Sequence, residues 1–213
     1  MKKLLHVGCG FSRLQDLPAY FSAGGWSEIR FDIDPGVDPD VVGDVQDLSI
    51  FDDGTIDAVY SSHNIEHVSS FQVPVVLREF RRVLRPDGVL VLLCPDMLSV
   101  AEAIVEGRLE EPLYVSPAGP ITAIDVVYGF QADLQRGRHY MAHRMAFTPD
   151  TLAGHVLRAG FTSATVLRDR AVGLTALCCC KAVPQDWAQA TVEGVCLNRD
   201  LVYEGRTYGS YGS

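Results

Sequence analysis

No two of the six cysteines, Cys9, Cys94, Cys178, Cys179, Cys180 and Cys196, form a C-x-x-C pair, so neither a zinc knuckle nor a disulfide framework is indicated. Three of them sit in the apolar run LTALCCCKAV, where free thiols pack as small apolar side chains. A reducing, cytoplasmic setting is expected. Positive charge is also scarce: 18 Lys and Arg against 27 Asp and Glu give a net charge of -9. A chain that acidic repels a phosphate backbone, so no nucleic-acid partner is expected. The one basic cluster, Arg78, Arg81, Arg82 and Arg85, fits the solvated face of a helix. No segment approaches the roughly 18 apolar residues of a membrane span, so no membrane partner is expected. The apolar run in MKKLLHVGCGF breaks at glycine after about four residues, too short for a signal-peptide core. No internal repeat is present.

Short apolar runs alternate with helical patterns. LLHV (4–7), SEIRFDI (27–33), DVV (40–42), TIDAVYSS (55–62) and GVLVLLC (88–94) read as strands, the last apolar almost throughout, as in a parallel strand buried on both faces. A helix is expected over 71–84, capped by Ser69 or Ser70. A second is expected over 148–161, with Thr148 as N-cap, Pro149 at the first helical position and Gly160 beyond the end. SATVLRD and LTALCCCKAV follow as a hairpin. This order predicts an α/β fold with a mostly parallel sheet between layers of helices. Residues 107–147 break the rhythm with Pro112, Pro117 and Pro120 and are expected to form a loop-rich lid or substrate platform. The expected organisation is one domain over 1–183 containing that insertion, then a C-terminal extension over 184–213, partly mobile at YEGRTYGSYGS.

HVGCGFS follows the first strand. Gly8 and Gly10 would let the backbone turn tightly and approach a ligand. A dinucleotide fingerprint would need a third glycine where Arg13 stands, which argues against NAD. Asp32 ends the second strand 22 residues after Gly10, where a carboxylate can accept from both hydroxyls of a ribose. Asp44 follows the third strand and can accept from an adenine amino group.

Together these residues resemble a class I S-adenosylmethionine-dependent methyltransferase with a methyltransferase-11-type domain. LLHVGCG is similar to the first motif and RFDIDP to the ribose motif. GDVQDLSIFDDGTIDAVYSSHNIEHV is similar to the adenine and post-adenine motif, and LREFRRVLRPDGVLVLLCPD to the helix and strand that follow. The first motif, YGFQ, HRMAFT and the late helix also resemble a subgroup of predicted methyltransferases. The resemblance implies a Rossmann-like, doubly wound, mostly parallel seven-stranded sheet with an antiparallel final strand. It implies S-adenosylmethionine as cofactor, with S-adenosylhomocysteine as product. Gly8, Cys9 and Gly10 would approach its methionine and ribose, Asp32 would hold the ribose, Ile33 would pack on the adenine, and Asp44 and Val45 would read the adenine edge. Ser62 and His63 would lie near the transferable methyl group. This chain departs in having His6 where such families carry an acidic residue, and in lacking a helix ahead of its first strand. Residues 107–147, or a partner subunit in a homodimer, would then close the substrate pocket.

A base is needed only where the acceptor must lose a proton, and histidine suits that task. His143 and His63 are the expected catalytic residues. Tyr128, Gln131, His139, Tyr140 and His143 are the expected substrate contacts. The stretch His63-Asn64-Ile65-Glu66-His67 also spells H-x-x-E-H, a zinc-peptidase pattern that requires a regular helix through both histidines. A strand running up to Ser62 leaves no room for one, and no metal is expected. The expected activity is methyl transfer to an oxygen or nitrogen of a small molecule, a metabolite or glycan precursor. A non-catalytic cofactor-binding module and a zinc hydrolase are the competing readings.

Overall fold

The apolar runs assemble into one sheet. β1 (Lys2–Val7), β2 (Trp26–Asp32), β3 (Val41–Val42), β4 (Ile56–Ser62) and β5 (Leu84–Pro95) run parallel. The computed structural model describes residues 1–197 and 202–209. β6 (Pro112–Ser116) and β7 (Gly119–Thr122) form a separate hairpin. β8 (Ser163–Asp169), β9 (Gly173–Cys179) and β10 (Val202–Gly209) complete the main sheet, whose order is β10-β8-β9-β5-β4-β1-β2-β3. It has eight strands where seven were expected. β9 is antiparallel to β5 and β8, and β10 is antiparallel to β8. The added strand comes from the C-terminal extension, which pairs with the backbone groups that β8 would otherwise leave open at the sheet edge.

Alternation along the strands sends side chains to two cores. Leu5, Val7, Val59, Leu90 and Leu92 face one layer with α2 (Val73–Val83) and α6 (Pro149–Arg158). Leu4, Ala58, Tyr60, Val91 and Leu93 face the other, with α1 (Ala19–Ser22) and α7 (Gln185–Val195). Thr148 caps α6 as expected, accepting from the Thr151 N–H, and Gly160 takes a left-handed φ of +97° after it. The cap of α2 differs: Gln72 holds that position, and its side chain accepts from the Ser69 N–H at 2.9 Å. The expected mobility of the tail falls partly on residues 210–213, outside the described residues.

The insertion is more ordered than its prolines suggested. After α3 (Met97–Val105) come the β6–β7 hairpin, α4 (Ala123–Tyr128) and α5 (Gln131–Gln135). Thr122 and Asp125 form a reciprocal capping box that starts α4. Ile121, Ala123 and Val126 of the segment pack with Val100 of α3 and with Val172, between β8 and β9, in a small separate core. At Gly129, φ is +99° and an added Cβ would stand 2.3 Å from the Met141 carbonyl oxygen. Glycine there lets the outgoing and returning limbs pack against each other. All six cysteines are buried, and none is in a disulfide among the described residues. Among the described residues, no helix is long and apolar enough to cross a membrane.

Candidate active site

The carboxyl ends of β1, β2 and β4 meet at a cavity of about 450 Å³, within the size range of small-molecule sites. β1 runs into two left-handed glycines, Gly8 at φ +64° and Gly10 at φ +51°. They serve different ends. A Cβ on Gly8 would lie 2.4 Å from Asn64 Nδ2, so this glycine admits the Asn64 side chain. A Cβ on Gly10 would meet nothing within 4 Å, so its open face is free for a ligand. The Gly10 N–H donates to Asp32 Oδ2 at 2.8 Å, and the Asp34 N–H donates to Asp32 Oδ1 at 3.0 Å. Each Asp32 oxygen keeps accepting capacity beyond these bonds.

Arg30 braces this loop, and sequence reading missed it. It lies within β2 and is 2% exposed. The guanidinium donates to the carbonyls of Ser12 and Gly10 on one loop and Val37 and Asp38 on the next. Both loops rim the cavity. His6 lies behind them, its Nδ1 2.8 Å from Glu28 Oε1. Burial lowers the pKa of His6 from its ordinary value, outweighing the nearby Glu28 carboxylate.

The opposite wall is the returning limb of the insertion: Asp133, Arg138, Tyr140, Met141 and Arg144. The Tyr140 hydroxyl donates to Asp34 Oδ2 at 2.9 Å, joining the two rims. The backbone N–H groups of Arg144 and Met145 both donate to the Glu66 carbonyl, at 2.8 and 3.1 Å. A more open depression of about 650 Å³ lies against α2, among Asp47, Asp52, Asp53, Arg78 and Glu79. It has neither the glycine loop nor the strand ends. Arg82 is committed there to Glu79 and Asp53.

Of the expected residues, Gly8, Gly10, Asp32, Ile33, Asp44, Val45, His63 and Tyr140 line the cavity. The others lie elsewhere. Cys9 is buried under the loop, and burial pushes its thiol up to about 11. Ser62 still belongs to β4. Tyr128 is 62% exposed. Gln131 turns its amide back to the Gly129 carbonyl. His139 is exposed in a short 3-10 turn. His143 stands behind the wall, its ring 4.9 Å from that of His67, which does face the cavity. Asn64, Arg138 and Arg144 line it without having been anticipated.

The stretch that spells H-x-x-E-H is not a helix. His63 has a left-handed φ of +50°, and only Ile65–His67 form one 3-10 turn. The two histidines therefore do not share a helix face, and the peptidase geometry is absent. His63 Nδ1 is 3.3 Å from Glu66 Oε1. Burial opposes the charge on both, but their mutual attraction wins: the His63 pKa is raised and the Glu66 pKa lowered. Burial lowers the pKa of His143, whose Nδ1 lies 2.6 Å from the Val126 carbonyl oxygen.

Residues 5–92 match the family model described as a methyltransferase domain. That stretch resembles a methyltransferase domain and spans 88 of the 213 residues. A solved methyltransferase structure from Methanosarcina mazei, described as S-adenosylmethionine-dependent, is similar at 15% identity. The match covers 83% of this chain and 91% of that one, with a TM-score of 0.56. A Pyrococcus horikoshii protein is similar at 17% identity over 85% of this chain and 83% of that one, TM-score 0.58. The 1,6-didemethyltoxoflavin-N1-methyltransferase of Burkholderia thailandensis is similar at 18% identity over 83% and 70%, TM-score 0.51. That structure holds 1,6-didemethyltoxoflavin and S-adenosylhomocysteine. No curated protein matches the sequence.

Proposed function

We propose that this methyltransferase transfers a methyl group from S-adenosylmethionine to an oxygen or nitrogen of a small-molecule acceptor. The observation that carries the reading is the division of the cavity. One side has the open face of Gly10, the Asp32 carboxylate, the exposed Ile33 side chain and Asp44, which together suit a nucleoside. The other side is built by the insertion and suits a variable acceptor. S-adenosylmethionine supplies a methyl carbon already activated on a sulfonium, so the chain's task is mainly alignment, which can contribute roughly 7–11 kcal/mol. Asp32 holds the ribose while Ile33 and Val45 flank the adenine. Arg144 lines the cavity beside the β4 end and favours an acceptor bearing an anionic group. His63 takes the acceptor's proton where one must leave, and the Glu66 carboxylate stabilises the imidazolium that forms. Residues 133–144 exclude water.

The test is incubation with S-adenosylmethionine and a panel of anionic hydroxy and amino acceptors, with S-adenosylhomocysteine release as readout. Release that depends on an acceptor and falls in His63→Ala supports the reading. Cofactor binding without release for any acceptor would favour a binding module.

A further inference from the structure

Glu66 is 1% exposed and neither carboxylate oxygen accepts a well-formed hydrogen bond, while His63 Nδ1 stands at ion-pair distance, 3.3 Å from Oε1. A buried carboxylate without donors is costly, so each such case requires an explanation. Its neighbours sharpen the question. His67 Nδ1 lies 3.3 Å from the Ala142 carbonyl oxygen, and His143 Nδ1 lies 2.6 Å from that of Val126. A carbonyl only accepts, so in both rings Nδ1 carries the proton, and in the neutral ring Nε2 is left as a lone pair. One ligand-capable atom each from Glu66, His67 and His143 lies within 4.8 Å of the other two. Three ligand-capable groups thus converge, with His63 Nδ1 3.3 Å from Glu66 Oε1 at their edge.

We propose that Glu66, His67 and His143 bind a divalent transition-metal ion. Two imidazoles and one carboxylate form a borderline N/O donor set, suited to Zn²⁺, Fe²⁺, Co²⁺ or Mn²⁺ rather than to Ca²⁺ or Mg²⁺, which favour all-oxygen shells. The carbonyl bonds to both Nδ1–H groups are the outer contacts that fix a metal-binding histidine in tautomer and orientation. His67 lines the cavity, so three protein ligands would leave a coordination position open toward it. The site differs from the H-x-x-E-H arrangement that sequence suggested, because His143 arrives from the insertion, 76 residues after His67. The paired bonds from the Arg144 and Met145 N–H groups to the Glu66 carbonyl hold that limb in place. The site stands whether or not the acceptor reading holds.

The test uses the full chain stripped with a chelator. Zn²⁺ is titrated by calorimetry, and Co²⁺ is titrated by visible absorption. One equivalent of each is expected, with cobalt bands typical of nitrogen and oxygen ligands. His143→Ala and Glu66→Gln should each weaken Zn²⁺ at least tenfold, while His155→Gln, on α6, should not. Zn²⁺ should raise the melting temperature of the wild type and of His155→Gln only. Glu66→Gln is nearly isosteric and guards against a fold defect in His143→Ala. Wild-type protein that takes up no stoichiometric Zn²⁺, Co²⁺ or Mn²⁺ overturns the proposal, as does unchanged affinity in both ligand variants. Those results would leave the three side chains sharing a proton.

Discussion

Replacing Arg30 with Met keeps most of the side-chain length and removes every donor. Four carbonyls, those of Gly10, Ser12, Val37 and Asp38, lose their partner. Hydrogen bonds from a charged group contribute roughly 1.5–3 kcal/mol each, which puts the gross loss at about 6–12 kcal/mol. Removing a buried charge recovers several kcal/mol of desolvation. The net destabilisation should then be about 3–5 kcal/mol, in line with the largest single-residue effects. The loss should fall first on the two rim loops, since they meet through this side chain. Urea denaturation should show a lowered midpoint with an unchanged slope. Calorimetry should show weaker S-adenosylhomocysteine binding in the fraction that remains folded. A loss below about 1 kcal/mol with unaltered binding would refute the assignment of Arg30 as the brace, since that is the scale of an ordinary surface change.

Three further outcomes follow. Gly8→Ala should destabilise the fold because its Cβ would collide with Asn64, whereas Gly10→Ala should fold and bind S-adenosylhomocysteine poorly; equal effects on stability would contradict the division of labour. Because burial lowers the pKa of His6, the unfolded chain binds the extra proton below about pH 6.5. Stability is therefore full above that pH and falls as pH drops toward the folded value, by at most about 1.4 kcal/mol per unit. Urea titrations at pH 7.5 and 5.5 should show a shallower loss in His6→Gln than in the wild type; an equal loss would mean that His6 does not carry it.

The parts of the fold legible in sequence were those set by local pattern. β1, β4 and β5 announced themselves as apolar runs because both faces of the sheet are covered. α6 was legible through Thr148, Pro149 and Gly160, whose roles are local. Gly10, Asp32 and Asp44 could be placed because strand ends define where ligands sit in such sheets. β10 was not legible: YEGRTYG is mostly exposed, and only the open edge of β8 makes it a strand. The burial of Arg30 depends on carbonyls from two distant loops, which no periodicity records. His143 drew attention as a polar residue near the insertion's end. Its displacement behind His67 depends on the Val126 carbonyl, 17 residues earlier. Glu66 was read only as part of the H-x-x-E-H stretch, and the burial of its carboxylate beside His67 and His143 shows only in three dimensions.

An S-adenosylmethionine seated in this cavity would be held at its ribose by Asp32. Calorimetric titration of S-adenosylhomocysteine into wild type and Asp32→Ala tests it most directly. Asp32 supplies two charged acceptors that already order Gly10 and Asp34, and losing them should weaken binding on the order of 10–100-fold or more. One-to-one binding by the wild type and a loss of that size in the variant are expected. No binding by the wild type, or the same affinity in both, would contradict the account.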